Sequence, residues 1–260
     1  MTKLLAVDIG NTNITVGIFK GARLLGKIKI PTNSYSLYIS QIKKLIKIIH
    51  GRRVGLNSPY DKTEDIEVIV SSVVPLALAR FIVELHRMSI FNLIILGRDK
   101  VVPIRNRYRV KKEVGQDRLV NAYAAKILYG APAIIVDFGT AITFDIVSKK
   151  GDYLGGLILP GIELSLSSLY RNTALLPKVE LKAVGSIIGK DTVNSMRGGI
   201  LFGFGAMCDG LVAQYGKIMG KSTRVIATGG NAELIKRYTK SIQKVDEDLT
   251  LKGLQLISEV

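Results

Sequence analysis

The sequence predicts an α/β protein built from two similar halves, and three observations carry this prediction. A motif occurs twice, as Leu4–Thr15 and as Ala133–Thr143: an apolar run is followed by aspartate, a hydrophobic residue, glycine and threonine, with Asn11 as one extra residue in the first copy. Apolar residues alternate after each glycine, which is typical of a β-hairpin. Strand-like and helix-like stretches then alternate in both halves, as in α/β domains. We therefore expect a duplicated domain with a nucleotide in the cleft between the copies.

The first half continues with alternating elements after its hairpin. A third strand is predicted over 24–30, and helices over 36–49 and 75–87 alternate with strands over 66–70 and 93–96. Pro75 suits the first turn of its helix because proline has no N–H to lose there. The run Asn57–Asp61 is typical of a loop. A helix over 115–129 bridges the halves.

The second half repeats this order. A third strand is predicted over 153–159, followed by helices over 162–170 and 192–219, a strand over 224–227, and helices over 231–238 and 249–257. We place the boundary before the bridging helix, which gives an N-terminal half of residues 1–114 and a C-terminal half of residues 115–260.

Composition excludes several functional classes. With 47% hydrophobic and 22% charged residues, the chain is typical of a globular protein that buries a core. One cysteine and two histidines exclude disulfide scaffolds and zinc modules, and leave little for a Ser–His or Cys–His hydrolase. No apolar run approaches the roughly 18 residues of a membrane span, and the first ten residues do not resemble a signal peptide. We expect a cytoplasmic protein without membrane contact.

The net charge of +16 raises the question of nucleic acid as a partner. The basic residues are spread along the chain, and no recognised nucleic-acid motif accompanies them. This favours a solvated basic surface that attracts anionic substrates.

The first motif copy, Asp8–Thr12, has the residues of a phosphate-binding turn. Gly10 permits a tight turn whose backbone N–H groups and the Thr12 hydroxyl can approach a phosphate. A carboxylate does not bind phosphate itself, so Asp8 is suited to hold Mg²⁺ or a metal-bound water. A lone motif of this kind is most often an ordinary β-turn. The second copy at Asp137 favours a function.

A second candidate is Gly115-Gln116-Asp117-Arg118 at a predicted helix start. The N-terminal amides of a helix offer an anion site. A carboxylate beside a guanidinium suits phosphoryl transfer, in which the base takes a hydroxyl proton and the cation receives phosphate charge. Asp117 could equally serve only to favour the helix dipole. The junction Gly229-Gly230-Asn231 allows an adenosine to lie against the backbone, although this signal is weak alone.

Together the motifs resemble those of type III pantothenate kinases, a family of the acetate and sugar kinase/Hsc70/actin superfamily. They occur in family order and cover nearly the whole chain: Asp8-x-Gly-Asn-Thr12, Gly115-x-Asp-Arg118, Asp137-x-Gly-Thr-Ala-x-Thr143, Gly155-Gly156-x-Ile-x-Pro-Gly161, Leu169-x-x-x-Thr173-Ala-x-Leu-Pro177, Gly189-x-x-Thr192-x-x-Ser-Met-x-x-Gly199 and Ala227-Thr-Gly-Gly-Asn231.

The resemblance implies duplicated ribonuclease H-like (actin-like ATPase) domains with a nucleotide cleft between them. It also implies transfer of the ATP γ-phosphate to the primary hydroxyl of pantothenate, which gives 4'-phosphopantothenate in the first step of coenzyme A biosynthesis. Mg²⁺ with ATP and a monovalent cation, potassium or ammonium, are the implied cofactors. The implied assembly is a homodimer.

The resemblance also implies roles for residues. Asp117 matches the general base and Arg118 an electrostatic clamp, while Asp137 matches the ligand of the monovalent cation and Asp8 lies near Mg²⁺. ATP contacts are implied for Asp8, Ile9, Gly10, Asn11, Thr12, Asn13, Ile14, Thr15 and Thr140. Pantothenate contacts are implied for Tyr108, Gly115, Gln116, Asp117, Arg118 and Thr192.

Two alternatives remain at this stage. Another small-molecule kinase or phosphatase of the superfamily would keep both aspartate hairpins but lack the Gly115–Arg118 and Thr173–Pro177 motifs. A catalytically silent accessory factor for transcription would be expected to have lost Asp8, Asp117 or Asp137, and the sequence keeps all of them.

The predicted helix over 192–219 is a candidate for the dimer interface. It has an apolar stripe and four closely spaced glycines, each of which costs about 1 kcal/mol in a helix interior relative to alanine. Close approach of another backbone would offset that cost. The approach could lie within one subunit, and the family resemblance favours a two-fold interface. The glycines are Gly198, Gly199, Gly203 and Gly205.

Overall fold

The computed structural model describes residues 3–50, 66–220 and 222–260. The loop predicted over Asn57–Asp61 lies outside the described residues. In chain order the described elements are β1 (Lys3–Ile9), β2 (Asn13–Lys20), β3 (Arg23–Pro31), α1 (Tyr38–His50), β4 (Ile66–Ser72), α2 (Pro75–Arg87), β5 (Leu93–Ile95), α3 (Gln116–Tyr129), β6 (Ala133–Phe138), β7 (Ala141–Val147), β8 (Tyr153–Pro160), α4 (Ile162–Arg171), α5 (Thr192–Met219), β9 (Arg224–Thr228), α6 (Ala232–Lys236), β10 (Lys244–Val245) and α7 (Leu249–Ser258).

The chain divides into two compact units. The first contains the described residues of Met1–Pro103, Lys112–Ala124 and Thr250–Val260. The second contains the described residues of Ile104–Lys111 and Ala125–Leu249. Each unit has its own five-stranded sheet and its own hydrophobic core.

The first unit is built on a sheet with the order β3-β2-β1-β4-β5. β1 pairs antiparallel with β2, and β2 with β3, which is the predicted hairpin with its third strand. β4 and β5 add in parallel on the other side of β1. One face of the sheet packs against α1 and α2, because the apolar residues on alternate positions of the strands meet buried side chains such as Tyr38, Ile42 and Phe81.

The opposite face of this sheet lies close to α7. A Cβ atom added at Gly17 of β2 would lie 2.8 Å from Cδ1 of Leu251. α7 in turn packs on α3, where a Cβ at Gly253 would lie 2.6 Å from Cγ1 of Val120. The absence of a side chain at Gly17 and Gly253 therefore permits the close packing of α7.

The second unit repeats the arrangement. Its sheet has the order β10-β9-β6-β7-β8, in which β6, β7 and β8 are antiparallel and β9 and β10 add in parallel beside β6. The order therefore matches that of the first unit strand for strand. This confirms the predicted α/β fold with an internal duplication.

The differences from the predicted elements are small. α6 ends at Lys236, before the predicted residue 238, and the two-residue strand β10 was not predicted. Two residues are too few to show a period-two pattern. The helix predicted over 192–219 has those bounds in the structure, because Asp191 caps its first turn and Gly220 ends it.

α5 has an unexpected hydropathy. In the described part of the chain it is the one helix that is long and apolar enough, by length and composition, to cross a membrane, although the apolar runs of the sequence predicted no such segment. Ile200, Leu201 and Cys208 of this helix are buried in the core of the second unit. Core helices meet the same criteria, and we assign α5 as a core helix.

Candidate active site

The first phosphate motif lies at the end of β1 in the first unit. Asp8 is near the end of that strand, and the turn that follows is closed by a hydrogen bond from the Gly10 N–H to the Asn13 carbonyl at 3.0 Å. Asn11 and Thr12 at the tip of the turn are exposed. Backbone N–H groups at the tip of such a turn are available to bind an anion.

The start of α3 lies at the same edge of the sheet. The Val73 N–H, just after β4, donates to the Ile9 carbonyl at 3.1 Å. Cγ1 of Val73 lies 3.6 Å from the position of a Cβ at Gly115. Val73 therefore links the end of β1 to the Gly115–Arg118 motif, so the structure brings these two predicted motifs together within one unit.

Asp117 occupies the first turn of α3 with its carboxylate folded back over Gly115. A Cβ at Gly115 would collide with the Asp117 side chain, which explains the glycine. The carboxylate accepts the Arg118 N–H at 2.9 Å. Burial raises the pKa of Asp117 above its ordinary value, because desolvation disfavours the charged form, while the hydrogen bond and the charge of Arg118 act in the opposite direction.

Gln116 is held by a turn after β5. Its amide nitrogen lies 3.0 Å from the position of a Cβ at Gly97, so the side chain lies directly on the Gly97 backbone. Arg118 is 7% exposed, which is low for an arginine. The two residues that flank Asp117 in the sequence are therefore both packed, and this fixes the position of Asp117 at the helix start.

Asp8 suits a magnesium ion that is bound mainly through phosphate. Among residues 3–50, 66–220 and 222–260 there is no cluster of three or more His, Cys, Asp or Glu that could hold a metal. Mg²⁺ commonly takes one or two protein carboxylates together with substrate phosphates and waters. A single partly buried carboxylate beside a phosphate-binding turn fits that coordination.

Asp137 of the second unit lies against two glycines. A Cβ at Gly139 would lie 3.3 Å from Oδ1 of Asp137, and a Cβ at Gly229 would collide with the same oxygen. Gly229 has φ of 89°, a conformation that side chains disfavour. The partly buried carboxylate therefore lies directly against the backbone of these two glycines. Carboxylate oxygens are among the donors that hard cations prefer, so the chemistry of Asp137 fits a cation ligand.

Thr140 follows in the same turn. Its carbonyl lies so close to Gly161 that a Cβ there would collide with it. Asn231, which opens the adenosine-type segment, donates its N–H to the Phe138 carbonyl at 3.4 Å. The second phosphate motif and the Gly229–Asn231 junction are thus adjacent within the second unit.

Tyr108 belongs to a segment that lies along the edge of the second sheet. Arg107 and Tyr153 form a backbone hydrogen bond of 2.8 Å, and the Arg107 side chain pairs with Asp152 at 2.8 Å. The ring of Tyr108 lies on Gly155, 3.1 Å from the position of a Cβ there. The ring is therefore fixed by β8.

Thr192 is the first residue of α5. Asp191 caps this helix by accepting the Asn194 N–H at 2.8 Å, and hydrogen bonds from Asn194 lower the pKa of Asp191. The predicted site residues thus fall into two groups. The first unit holds Asp8–Thr15 and Gly115–Arg118, and the second holds Tyr108, Asp137, Thr140 and Thr192.

Sequence reasoning missed three residues that support the first group, namely Thr32, Val73 and Gly97. The glycine directly after a predicted strand was a usable signal for Gly97. Thr32 and Val73 have common residue types in ordinary positions, and only the folded chain places them beside the motifs.

Comparisons with known proteins agree with these observations. A family model described as type III pantothenate kinase matches residues 4–214. A protein of Myxococcus xanthus (strain DK1622) named type III pantothenate kinase is 37% identical over 260 residues, which cover 98% of this chain and 97% of that protein.

Solved structures show the same fold at low sequence identity. One described as a Baf family transcriptional activator from Campylobacter jejuni has a TM-score of 0.54 at 19% identity, and the match covers 98% of this chain and 97% of that one. MreB 5 of Spiroplasma citri bound to AMPPNP has a TM-score of 0.51 at 11% identity over 100% of this chain and 96% of its own. The fold is therefore that of the actin-like ATPases. From the family match and the near full-length relative, this chain belongs to the type III pantothenate kinase family.

Proposed function

We propose that this chain is a pantothenate kinase, which transfers the γ-phosphate of ATP to the primary hydroxyl of pantothenate and gives 4'-phosphopantothenate for coenzyme A biosynthesis. The observation that carries the proposal is the position of Asp117. This carboxylate lies at the start of α3, beside Arg118 and in the same unit as the Asp8–Thr12 turn. The identity of the substrate is inferred from membership of the family.

In the proposed mechanism the first unit binds the ATP phosphates. The N–H groups of the turn after β1 donate to phosphate oxygens, and Asp8 would hold the Mg²⁺ that accompanies ATP, directly or through water. Mg²⁺, when bound, neutralises the charge that develops on the phosphate oxygens. The proposed ATP contacts are Asp8, Ile9, Gly10, Asn11, Thr12, Asn13, Ile14, Thr15 and, in the second unit, Thr140.

Asp117 accepts the proton of the attacking hydroxyl. A general base works best when its pKa lies near the operating pH, and burial moves the pKa of Asp117 in that direction. Arg118 donates to the transferring phosphoryl group, where a fixed cation stabilises the transition state. Gly115, Gln116, Tyr108 and Thr192 are the further proposed contacts of pantothenate.

We assign the monovalent cation, potassium or ammonium, to Asp137. The chemistry of the side chain supports the assignment, since hard cations prefer oxygen ligands such as a carboxylate, and the Asp137 carboxylate lies against the backbone of Gly139 and Gly229. A cation there balances negative charge near the second phosphate motif.

The assembly, the domain boundary and the location of the protein are further parts of the proposal. We propose a cytoplasmic homodimer, and the division into residues 1–114 and 115–260 stays a prediction. In α5, Gly205 already has a neighbour within its own unit, because a Cβ there would collide with the Tyr238 carbonyl. Apart from the adjacent backbone of α5 itself, no atom of the described residues lies within 4 Å of a Cβ at Gly199 or Gly203, so these two positions are open to a partner.

The deciding experiment measures ATP consumption by the purified protein with and without pantothenate, in potassium and in sodium. A pantothenate kinase consumes ATP only with pantothenate present and responds to potassium. Consumption with another alcohol but not with pantothenate would indicate a different small-molecule kinase. No consumption with either would favour the silent accessory factor, which the retention of Asp8, Asp117 and Asp137 does not support.

A further inference from the structure

We infer that Thr32 and Tyr38 are positioning residues that hold the phosphate-binding turn Gly10–Asn13 in its ATP-binding shape. The inference rests on the proposed function, because it assigns these residues to the ATP site. Neither residue belongs to the motifs that identify the family, and neither is proposed to touch the nucleotide.

Thr32 is bonded to two carbonyl groups of the turn. Its hydroxyl donates to the Gly10 carbonyl at 2.7 Å, and its N–H donates to the Thr12 carbonyl at 3.0 Å. Thr32 directly follows β3, whose last residue, Pro31, pairs with Asn13. The two bonds therefore extend the β2–β3 ladder past its end and onto the turn.

These bonds fix the direction of the donors that face a phosphate. In a planar trans peptide the carbonyl of one residue and the N–H of the next point in opposite directions. Holding the Gly10 and Thr12 carbonyls toward Thr32 directs the N–H groups of Asn11 and Asn13 away from it. Donors that are aimed before the ligand arrives avoid the cost of ordering on binding.

Tyr38 in turn fixes the backbone of Thr32 by a hydrogen bond. Its hydroxyl donates to the Thr32 carbonyl at 2.5 Å, and its side chain is fully buried. Burial raises the pKa of Tyr38 to about 12. The phenol therefore keeps its proton throughout the physiological range and remains a donor.

Tyr38 is itself fixed by aromatic neighbours. Its ring lies 5.7 Å from that of Phe81 in α2 and 5.6 Å from that of Tyr35, measured between centroids. The Arg80 guanidinium lies 3.9 Å above the Tyr35 ring, a cation–π contact that holds the outer ring. The phosphate turn is thus connected through Thr32 and Tyr38 to the core between α1 and α2.

The chain offers a matched control for this arrangement. Thr223 is 6% exposed, as Thr32 is, and its hydroxyl donates to the Gly220 carbonyl at 2.7 Å, the length of the Thr32–Gly10 bond. Thr223 lies in the second unit, before β9. Thr32→Val and Thr223→Val therefore remove the same kind of bond at the same burial, and only the first bond holds the turn.

The test compares steady-state kinetics and direct binding of a non-hydrolysable ATP analogue with Mg²⁺ in the wild type, Thr32→Val, Thr32→Ser, Tyr38→Phe and Thr223→Val. One neutral hydrogen bond is worth about 0.5–1.5 kcal/mol, so we expect Thr32→Val to weaken analogue binding and raise the ATP KM by about 2- to 12-fold. The pantothenate KM should change by less. Thr32→Ser should restore the wild-type values, and Tyr38→Phe should give a smaller loss of the same kind.

A purely structural role gives a different result. The inference would be overturned if Thr32→Val lost stability but changed the ATP KM no more than Thr223→Val, or if Thr32→Ser failed to restore binding. Should Thr32→Val not fold, Tyr38→Phe decides, because it keeps Thr32 and removes one hydroxyl. A wild type that binds the analogue but does not phosphorylate pantothenate contradicts the proposed function alone. A wild type that binds no analogue contradicts both.

Discussion

Replacing Asp117 by asparagine removes one charge and little else. The asparagine Oδ1 can still accept the Arg118 N–H that the carboxylate accepts at 2.9 Å, and its size suits the space over Gly115. Because the folded state raises the pKa of Asp117, the ionised carboxylate costs stability at neutral pH. We therefore expect Asp117→Asn to fold with wild-type stability or better at pH 7.

The raised pKa of Asp117 also makes the stability of the wild type depend on pH. For a carboxyl whose pKa is raised by folding, the stabilisation is present below the unfolded value and is lost as the pH rises through the folded value. The wild type should therefore gain stability relative to Asp117→Asn on acidification through that window. Thermal unfolding of both proteins from pH 7 down to about pH 4 measures this difference.

The expected loss of activity follows from the role of a base. A positioned general base contributes about 10²–10⁴-fold to a rate, which corresponds to about 2.7–5.4 kcal/mol of transition-state stabilisation. Asp117→Asn should lose kcat by such a factor. In the wild type, kcat/KM for pantothenate should fall on acidification at a pH above 3.8, the ordinary value for aspartate, because burial raises this pKa.

The assay is coupled ATP consumption with pantothenate varied from below its KM to saturation, from about pH 5 to pH 9, which gives both kcat and kcat/KM. Asp209→Asn is the control, because that carboxylate accepts the Ser241 hydroxyl at 2.6 Å in the second unit and its loss tests stability alone. Near-wild-type turnover of Asp117→Asn would remove Asp117 from the role of base. If a weakly active Asp117→Asn variant showed the same fall of kcat/KM at low pH as the wild type, that fall would be due to another group.

Three further predictions concern the cations, the long helix and the assembly. Asp8→Ala should abolish activity at every potassium concentration, whereas Asp137→Ala should flatten the potassium response; identical potassium curves for both variants would refute this division. Gly205→Ala should lower the thermal midpoint because its Cβ collides with the Tyr238 carbonyl, whereas Gly210→Ala in the same helix meets nothing within 4 Å and should gain about 1 kcal/mol of helix stability; equal shifts would contradict the packing. Light scattering during size-exclusion chromatography should give about twice the chain mass of 28.4 kDa, and an active monomer would exclude the homodimer.

The fold was accessible from the sequence because its signals are local. Both hairpins follow from period-two alternation after a glycine, and the helices at Pro75 and Asp191 begin at residues that favour helix starts. The duplication follows from the repeated motif alone. By contrast, the sequence does not reveal that Ile104–Lys111 belongs to the second unit, since that depends on backbone pairing with Tyr153 across more than forty residues.

The candidate site was accessible only in part. Residue types at fixed spacing made Asp8 and Asp117 candidates, because a metal-binding carboxylate and a positioned base suit phosphoryl transfer. The raised pKa of Asp117 depends on burial, which no motif encodes. Gln116 could be proposed as a pantothenate contact from its motif. Its packing on the Gly97 backbone could not be predicted, because no motif encodes a tertiary contact.

The two hairpins differ at the residue that follows their third strand. Pro31 pairs with Asn13 in the first unit, and Pro160 pairs with Ala141 in the second, so Thr32 and Gly161 occupy equivalent positions. Gly161 lies so close to the Gly139 and Thr140 carbonyls that a side chain would collide with them. The first turn is longer by the extra residue Asn11. The Thr32 hydroxyl and N–H donate to the Gly10 and Thr12 carbonyls of this longer turn. The extra residue in the first motif and the threonine after β3 therefore belong to one hydrogen-bonded arrangement, which we propose as the phosphate-binding turn.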